Sequence, residues 1–196
     1  LKKYTVPMLC IIISLAVIGH HSYRASGQSM YMYPNLPAPI GKEPILITSA
    51  GQTVEGGIVH KLSQQLHLEA EYRPRALATD LYEYQTLVIV TGYSYNGMLH
   101  KKKKFKQEQE RIRKLMNEAE ADRVPVIIFD LDLQYRDYEE TWTILEHTIP
   151  YSDYFIGKRH DETPEKLLEL IREHKVKSTF VNEIEDMKTP FNSVFR

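Results

Sequence analysis

From Pro44 onward, short unbroken apolar runs alternate with stretches whose apolar residues recur every three or four positions. Ile45-Leu46-Ile47-Thr48 is the first run, and it stops at Ser49-Ala50-Gly51. Val54, Ile58, Leu62 and Leu66, with Val59 beside them, then follow helical spacing and predict a helix with one face on a sheet. Leu68 to Tyr72 reads as a weaker strand, and Leu87-Val88-Ile89-Val90-Thr91 as the strongest. Phe105, Ile112, Leu115, Met116 and Ala119 mark a long helix whose outward face carries Glu108, Glu110, Arg111, Arg113 and Lys114. Val126 to Phe129 is a strand, and Tyr138 to Ile149 a helix with Trp142, Leu145 and Ile149 inward. Tyr154 to Gly157 is another strand. Thr163-Pro164-Glu165 opens a helix with a capping hydroxyl, a first-turn proline and an acid at the positive dipole end. Leu167, Leu168 and Ile171 face inward there. Thr179-Phe180-Val181 makes a last strand before one helical turn.

Strands apolar on both faces and separated by helices imply a mostly parallel sheet covered on each side. The predicted fold is therefore α/β, a three-layer αβα domain over residues 44–196 with a Rossmann- or flavodoxin-like sheet of five to six strands.

The chain before Pro44 follows different rules. Lys2 and Lys3 precede an apolar run from Val6 to Gly19, which His20, His21, Ser22 and Arg24 end. That run is 14 residues long, short of the roughly 20 that span a bilayer core. With small residues at Ala25-Ser26-Gly27, residues 1–27 read as a signal peptide or, if uncleaved, a membrane anchor. The expected location is extracytoplasmic, secreted or tethered. Residues 28–43 read as a linker, because Pro34, Pro37, Pro39 and Gly41 exclude a helix and break strand pairing.

Composition narrows the functional classes. The 196 residues carry a net charge of −1. Lys2, Lys3 and Arg24 are the only charged residues before 28, so the remainder holds 22 basic and 26 acidic residues, or −4. Nothing in that balance draws the domain to nucleic acid. The single cysteine, Cys10, lies in the apolar N-terminal run. Residues 28–196 thus have no disulfide framework, cysteine nucleophile or cysteine-based zinc site. Ser49 and Ser94 lack the Gly-x-Ser-x-Gly elbow, and the histidines show no metal-ligand spacing.

In parallel sheets of this kind ligands bind outside the carboxyl ends of the strands. That rule selects three loops. Thr48-Ser49-Ala50-Gly51-Gln52-Thr53 has small residues and a helix start, which suit a carboxylate or other anion, but neither Walker nor dinucleotide spacing. Gly92-Tyr93-Ser94-Tyr95-Asn96-Gly97-Met98, followed by His100 and Lys101 to Lys104, is a polar surface with a basic run able to attract phosphate or anionic lipid. The third loop is Phe129-Asp130-Leu131-Asp132-Leu133-Gln134, with Arg136 after it.

Val126 through Asp132 resembles the opening motif of the haloacid-dehalogenase-like phosphohydrolases, an apolar strand ending in Asp-x-Asp. That resemblance implies Asp130 as nucleophile, Asp132 as general acid/base and a bound Mg2+. Leu133 and Gln134 stand where that family places a small turn residue and a hydroxyl, and only 64 residues follow Asp132.

A broader likeness runs from Pro44 to Phe195. Pro44-Ile45-Leu46-Ile47-Thr48-Ser49-Ala50-Gly51-Gln52, Tyr84 to Val90 with Gly92, and Pro150 to Ile156 are similar to an uncharacterised bacterial family of small exported α/β domains of unknown function. Asp130 and Asp132 occupy the stretch where that family is expected to carry a glycine pair. The resemblance implies export and fold, and no reaction.

The leading expectation is a non-catalytic domain without a cofactor, binding a small polar or anionic ligand or a partner protein. Its crevice would be built from Ser49, Gly51, Gln52, Gly92, Ser94, Asn96, Asp130 and Arg136. The alternatives are the magnesium-dependent phosphohydrolase and a membrane-tethered interaction module.

Overall fold

The apolar runs at Ile45, Leu87, Val126 and Tyr154 form strands because their side chains find cover on both sides of a sheet, and two less apolar segments join them at its edges. The computed structural model describes residues 34–99, 104–131, 139–159 and 163–196. The strands are β1 (Ile45–Ala50), β2 (Ala70–Tyr72), β3 (Thr86–Thr91), β4 (Val126–Asp130), β5 (Tyr154–Lys158) and β6 (Lys177–Val181). They pair in the order β2-β1-β3-β4-β5-β6, and every pair is parallel. The helices are α1 (Gly56–Gln65), α2 (Tyr95–Leu99), α3 (Phe105–Asp122), α4 (Glu139–Thr148), α5 (Glu165–Glu173) and α6 (Lys188–Asn192). Short 3-10 turns at Ala78–Glu83, Ile149–Tyr151 and Ile184–Met187 complete the connections.

Alternation along each strand sends neighbouring side chains to opposite faces. Leu46, Ala50, Leu87, Ile89, Val126, Ile128 and Phe155 join Ile112, Leu115 and Met116 of α3, Ile144 and Leu145 of α4, and Leu167 and Ile171 of α5. Ile45, Ile47, Val88, Val90, Ile127, Phe129 and Ile156 pack on the other side against Val59 and Leu62 of α1 and Met187, Phe191 and Val194. Apart from Ala50, each such side chain contributes about 1.5–3 kcal/mol on burial. The architecture is the three-layer Rossmann/flavodoxin-like arrangement the alternation implies, with six strands, all parallel. Among the described residues, no helix is long and apolar enough to cross a membrane.

Three local expectations differ. α1 buries Val59, Leu62 and Ser63, while Val54 stands before the helix and is exposed. α5 begins at Glu165 with Pro164 as its cap residue, and no side-chain hydroxyl caps it. Part of the linker is built into the domain: Leu36 is buried, and the amides of Ile40 and Gly41 both donate to the Val194 carbonyl at 2.9 Å.

Candidate functional site

The strand order reverses direction at β1, since β2 lies on one side of it and β3 on the other. A crevice between the carboxyl ends of β1 and β3 is the expected ligand position. Ile47, Val90 and Phe129 do lie on adjacent strands, in the order β1-β3-β4.

The turns after β1 and β3 are stitched together. Gly92 N–H donates to the Ala50 carbonyl at 3.0 Å, and Ser94 N–H to the Gly51 carbonyl at 2.9 Å. An antiparallel bridge pairs Gln52 with Tyr93. Gly51 has φ +88°, and a Cβ there would stand 2.5 Å from both the Gly92 carbonyl oxygen and Ile144 Cδ1. Only glycine fits this junction. Gln52 follows with φ 61°, so two consecutive residues adopt left-handed backbone.

The groups those turns would offer a ligand are already engaged. Gly51 N–H donates to Glu108 Oε1 at 3.1 Å, and Gln52 Nε2 to the same oxygen at 3.0 Å. Arg111 closes on this carboxylate through Nη2 to Oε1 at 2.7 Å and Nε to Oε2 at 3.0 Å. Its remaining donors reach the Ala76 carbonyl at 2.7 Å, Thr48 Oγ1 at 3.4 Å and the Ser49 carbonyl. Glu108 is fully buried and Arg111 nearly so. Burial alone would raise the Glu108 pKa, but Arg111, the Gln52 amide and Gly51 N–H together hold it below the ordinary 4.5. The protein's own carboxylate thus sits where a parallel sheet presents its anion-binding donors.

Residues 42–195 match the sequence model of a family described as "Domain of unknown function (DUF6305)". The chain belongs to the DUF6305 family. No curated protein and no solved structure matches it.

Within this DUF6305 domain the residues expected from the sequence divide into groups. Gly51, Gln52, Gly92 and Ser94 come together in the stitched turns. Ser94 Oγ accepts the Gly97 N–H at 3.1 Å, which starts α2, and Asn96 lies exposed on that helix. Ser49 turns the other way: its hydroxyl donates to the Thr53 carbonyl at 2.8 Å and lies 2.9 Å from the Tyr72 hydroxyl, on the α1 side of the sheet. Asp130 ends β4 with 2% of its surface exposed. Asp132 and Arg136 lie outside the described residues, as do His100 and Lys101 to Lys103. Among the described residues no cluster of three or more His, Cys, Asp or Glu side chains is placed to hold a metal ion.

Glu108 and Arg111 were expected on the solvent face of α3, and their burial corrects that expectation. The signal was available: positions 108, 111, 112, 115, 116 and 119 form one continuous stripe of the helix, and all are buried. Two clefts on the described surface are lined by other residues. One of about 640 Å³ runs along α3 beside Lys104, Arg113 and His147, and one of about 460 Å³ lies at the amino ends of the strands.

Proposed function

We propose that this DUF6305 domain is a non-catalytic recognition module that docks a partner protein on the rim formed by the turns after β1 and β3. One observation carries this reading. The Gly51 amide and the Gln52 side chain are taken up by Glu108, while large apolar side chains on the same turns face solvent. Val54 is 81% exposed, Tyr95 60% and Leu99 57%. Exposed aliphatic and aromatic side chains on these two turns suit an apolar-faced protein segment, with Asn96 supplying a hydrogen bond at its edge. A small anionic ligand in the same crevice would need free donors, and Gly51 N–H and the Gln52 amide are engaged. A phosphohydrolase would need Asp130 open to an incoming phosphoryl group, and its burial speaks against that role.

Export belongs to the same reading. The Lys2-Lys3 start and the apolar run from Val6 to Gly19 favour delivery across a membrane, by a cleaved signal or with the segment kept as a tether. The partner is then an envelope or secreted protein.

Photo-cross-linking in host cells tests the docking. A photoreactive residue at Asn96 of the full chain gives a discrete protein adduct, and Tyr95→Asp with Leu99→Asp abolishes it. The same group at Glu120, exposed on α3, gives none. No adduct from Asn96, an equal adduct from Glu120, or an adduct surviving the double substitution overturns the proposal.

A further inference from the structure

The amino ends of the strands carry a second feature, remote from the rim. A cleft of about 460 Å³ opens between the linker at Ile40 and Lys42, the turn at Leu81 to Gln85, and the α3–β4 junction at Asp122 to Pro125. Its volume lies within the range of small-molecule sites.

Its walls are fixed by the fold. Lys42 N–H donates to Thr86 Oγ1 at 2.8 Å, and that hydroxyl donates back to the Lys42 carbonyl at 2.7 Å, which clamps the linker to the start of β3. The opposite wall is held where Val124 N–H donates to the Ala119 carbonyl at 2.8 Å and Arg123 N–H to the Glu120 carbonyl at 3.2 Å. These bonds cap two carbonyls at the negative end of the α3 dipole, an end that the Lys42 and Arg123 charges oppose.

The lining has a clear polarity. Lys42 and Arg123 are cationic, and among the described residues neither forms an ion pair. Among the described residues lining the cleft, Asp122 is the one acid. Arg123 is held at φ 56°, a conformation in which glycine would serve the helix end with less strain. Leu81 is fully buried beneath the cleft, and Tyr82 stands 81% exposed in its wall. An uncovered aromatic ring and two cations without an ion pair among the described residues match one ligand chemistry.

We propose that this cleft binds a small carboxylate carried on a planar apolar body, the acid group meeting Lys42 and Arg123 and the body lying against the Tyr82 ring. The interaction is independent of partner docking at the rim.

Benzoate and benzylamine, the same ring with opposite charge, are the probes, followed by amide chemical shifts in the full chain. Benzoate gives saturable shifts at Tyr82, Gln85 and Val124 at concentrations up to about 10 mM, the affinity of a weak fragment. Benzylamine moves none of them. Arg123→Gly, which relaxes the helix end and keeps the fold, weakens benzoate binding by about fivefold or more, and Lys42→Gln does the same. No saturable shift, an equal response to benzylamine, or unchanged binding in both variants overturns the proposal.

Discussion

At the ends of α1, α3 and α5 the chain turns through His67 at φ 54°, Arg123 at φ 56° and Lys175 at φ 55°. Each end closes with the same pair of bonds; in α5, Val176 N–H donates to the Ile171 carbonyl at 3.0 Å and Lys175 N–H to the Arg172 carbonyl at 3.1 Å. Glycine usually fills this left-handed position, where a side chain costs about 1–2 kcal/mol. A basic side chain recovers about 0.3–1 kcal/mol from the helix dipole. The cost exceeds the recovery. Lys175→Gly therefore stabilises the domain by about 0.5 kcal/mol, raising the urea midpoint at unchanged slope. A lower midpoint would mean that the lysine charge outweighs its backbone strain. Gly51 is the reverse case, since its φ of +88° comes with no room for a methyl group. Gly51→Ala costs about 2–4 kcal/mol by combining backbone strain with overpacking against Ile144. A midpoint within error of the parent would show that the two turns can separate without loss.

Along α3 the decisive side chains are the polar ones on its buried stripe. Glu108 joins α3 to the β1 turn, and Arg111 adds the Ala76 carbonyl, so one helix holds two connections. Removing one partner of a buried ion pair costs about 3–5 kcal/mol because the other charge stays behind uncompensated. Glu108→Gln should lose stability on that scale near neutral pH. The sign with pH follows from the depressed carboxyl: its stabilisation is complete above the ordinary value of 4.5 and fades as pH falls through the folded-state pKa. The gap between parent and Glu108→Gln in urea midpoint should thus narrow in acid. A gap constant with pH would show that the carboxylate charge contributes nothing. The strands were legible from sequence because fully buried parallel strands read as continuous apolar runs, as in Leu87 to Thr91. The Glu108–Arg111 pair was not, because charge signals solvent by default and Gly51 lies 57 positions away in the chain. The α2 turn was hidden for another reason. Tyr95 to Leu99 gives too few residues to establish a period, and only the Ser94 hydroxyl on Gly97 N–H marks its start.

For the whole molecule, the two ends of the domain close on each other. Leu36 N–H donates to Ser193 Oγ at 3.0 Å, and that hydroxyl donates to the Pro190 carbonyl at 2.7 Å. Ile40 and Gly41 add two bonds to Val194, and Gly41 sits where a Cβ would stand 2.7 Å from the Val194 side chain. Phe191 in turn meets Phe129 of β4 edge-on, with ring centroids 4.9 Å apart. The linker therefore secures α6, and α6 covers the centre of the sheet. A chain beginning at Pro44 would lose the burial of Leu36, the bonds from Leu36, Ile40 and Gly41 to Ser193 and Val194, and those that tie Lys42 and Glu43 to Thr86, Gln85 and Glu69. Amide exchange gives the sharper measurement, since the loss is local. Relative to a chain beginning at Pro34, the amides of Ser193 to Phe195 should exchange far faster in the shorter chain, while those of β3 keep their protection. Equal protection of the carboxyl terminus in both chains would mean that Phe129 and Phe191 hold α6 without the linker, and that the domain begins at the first strand.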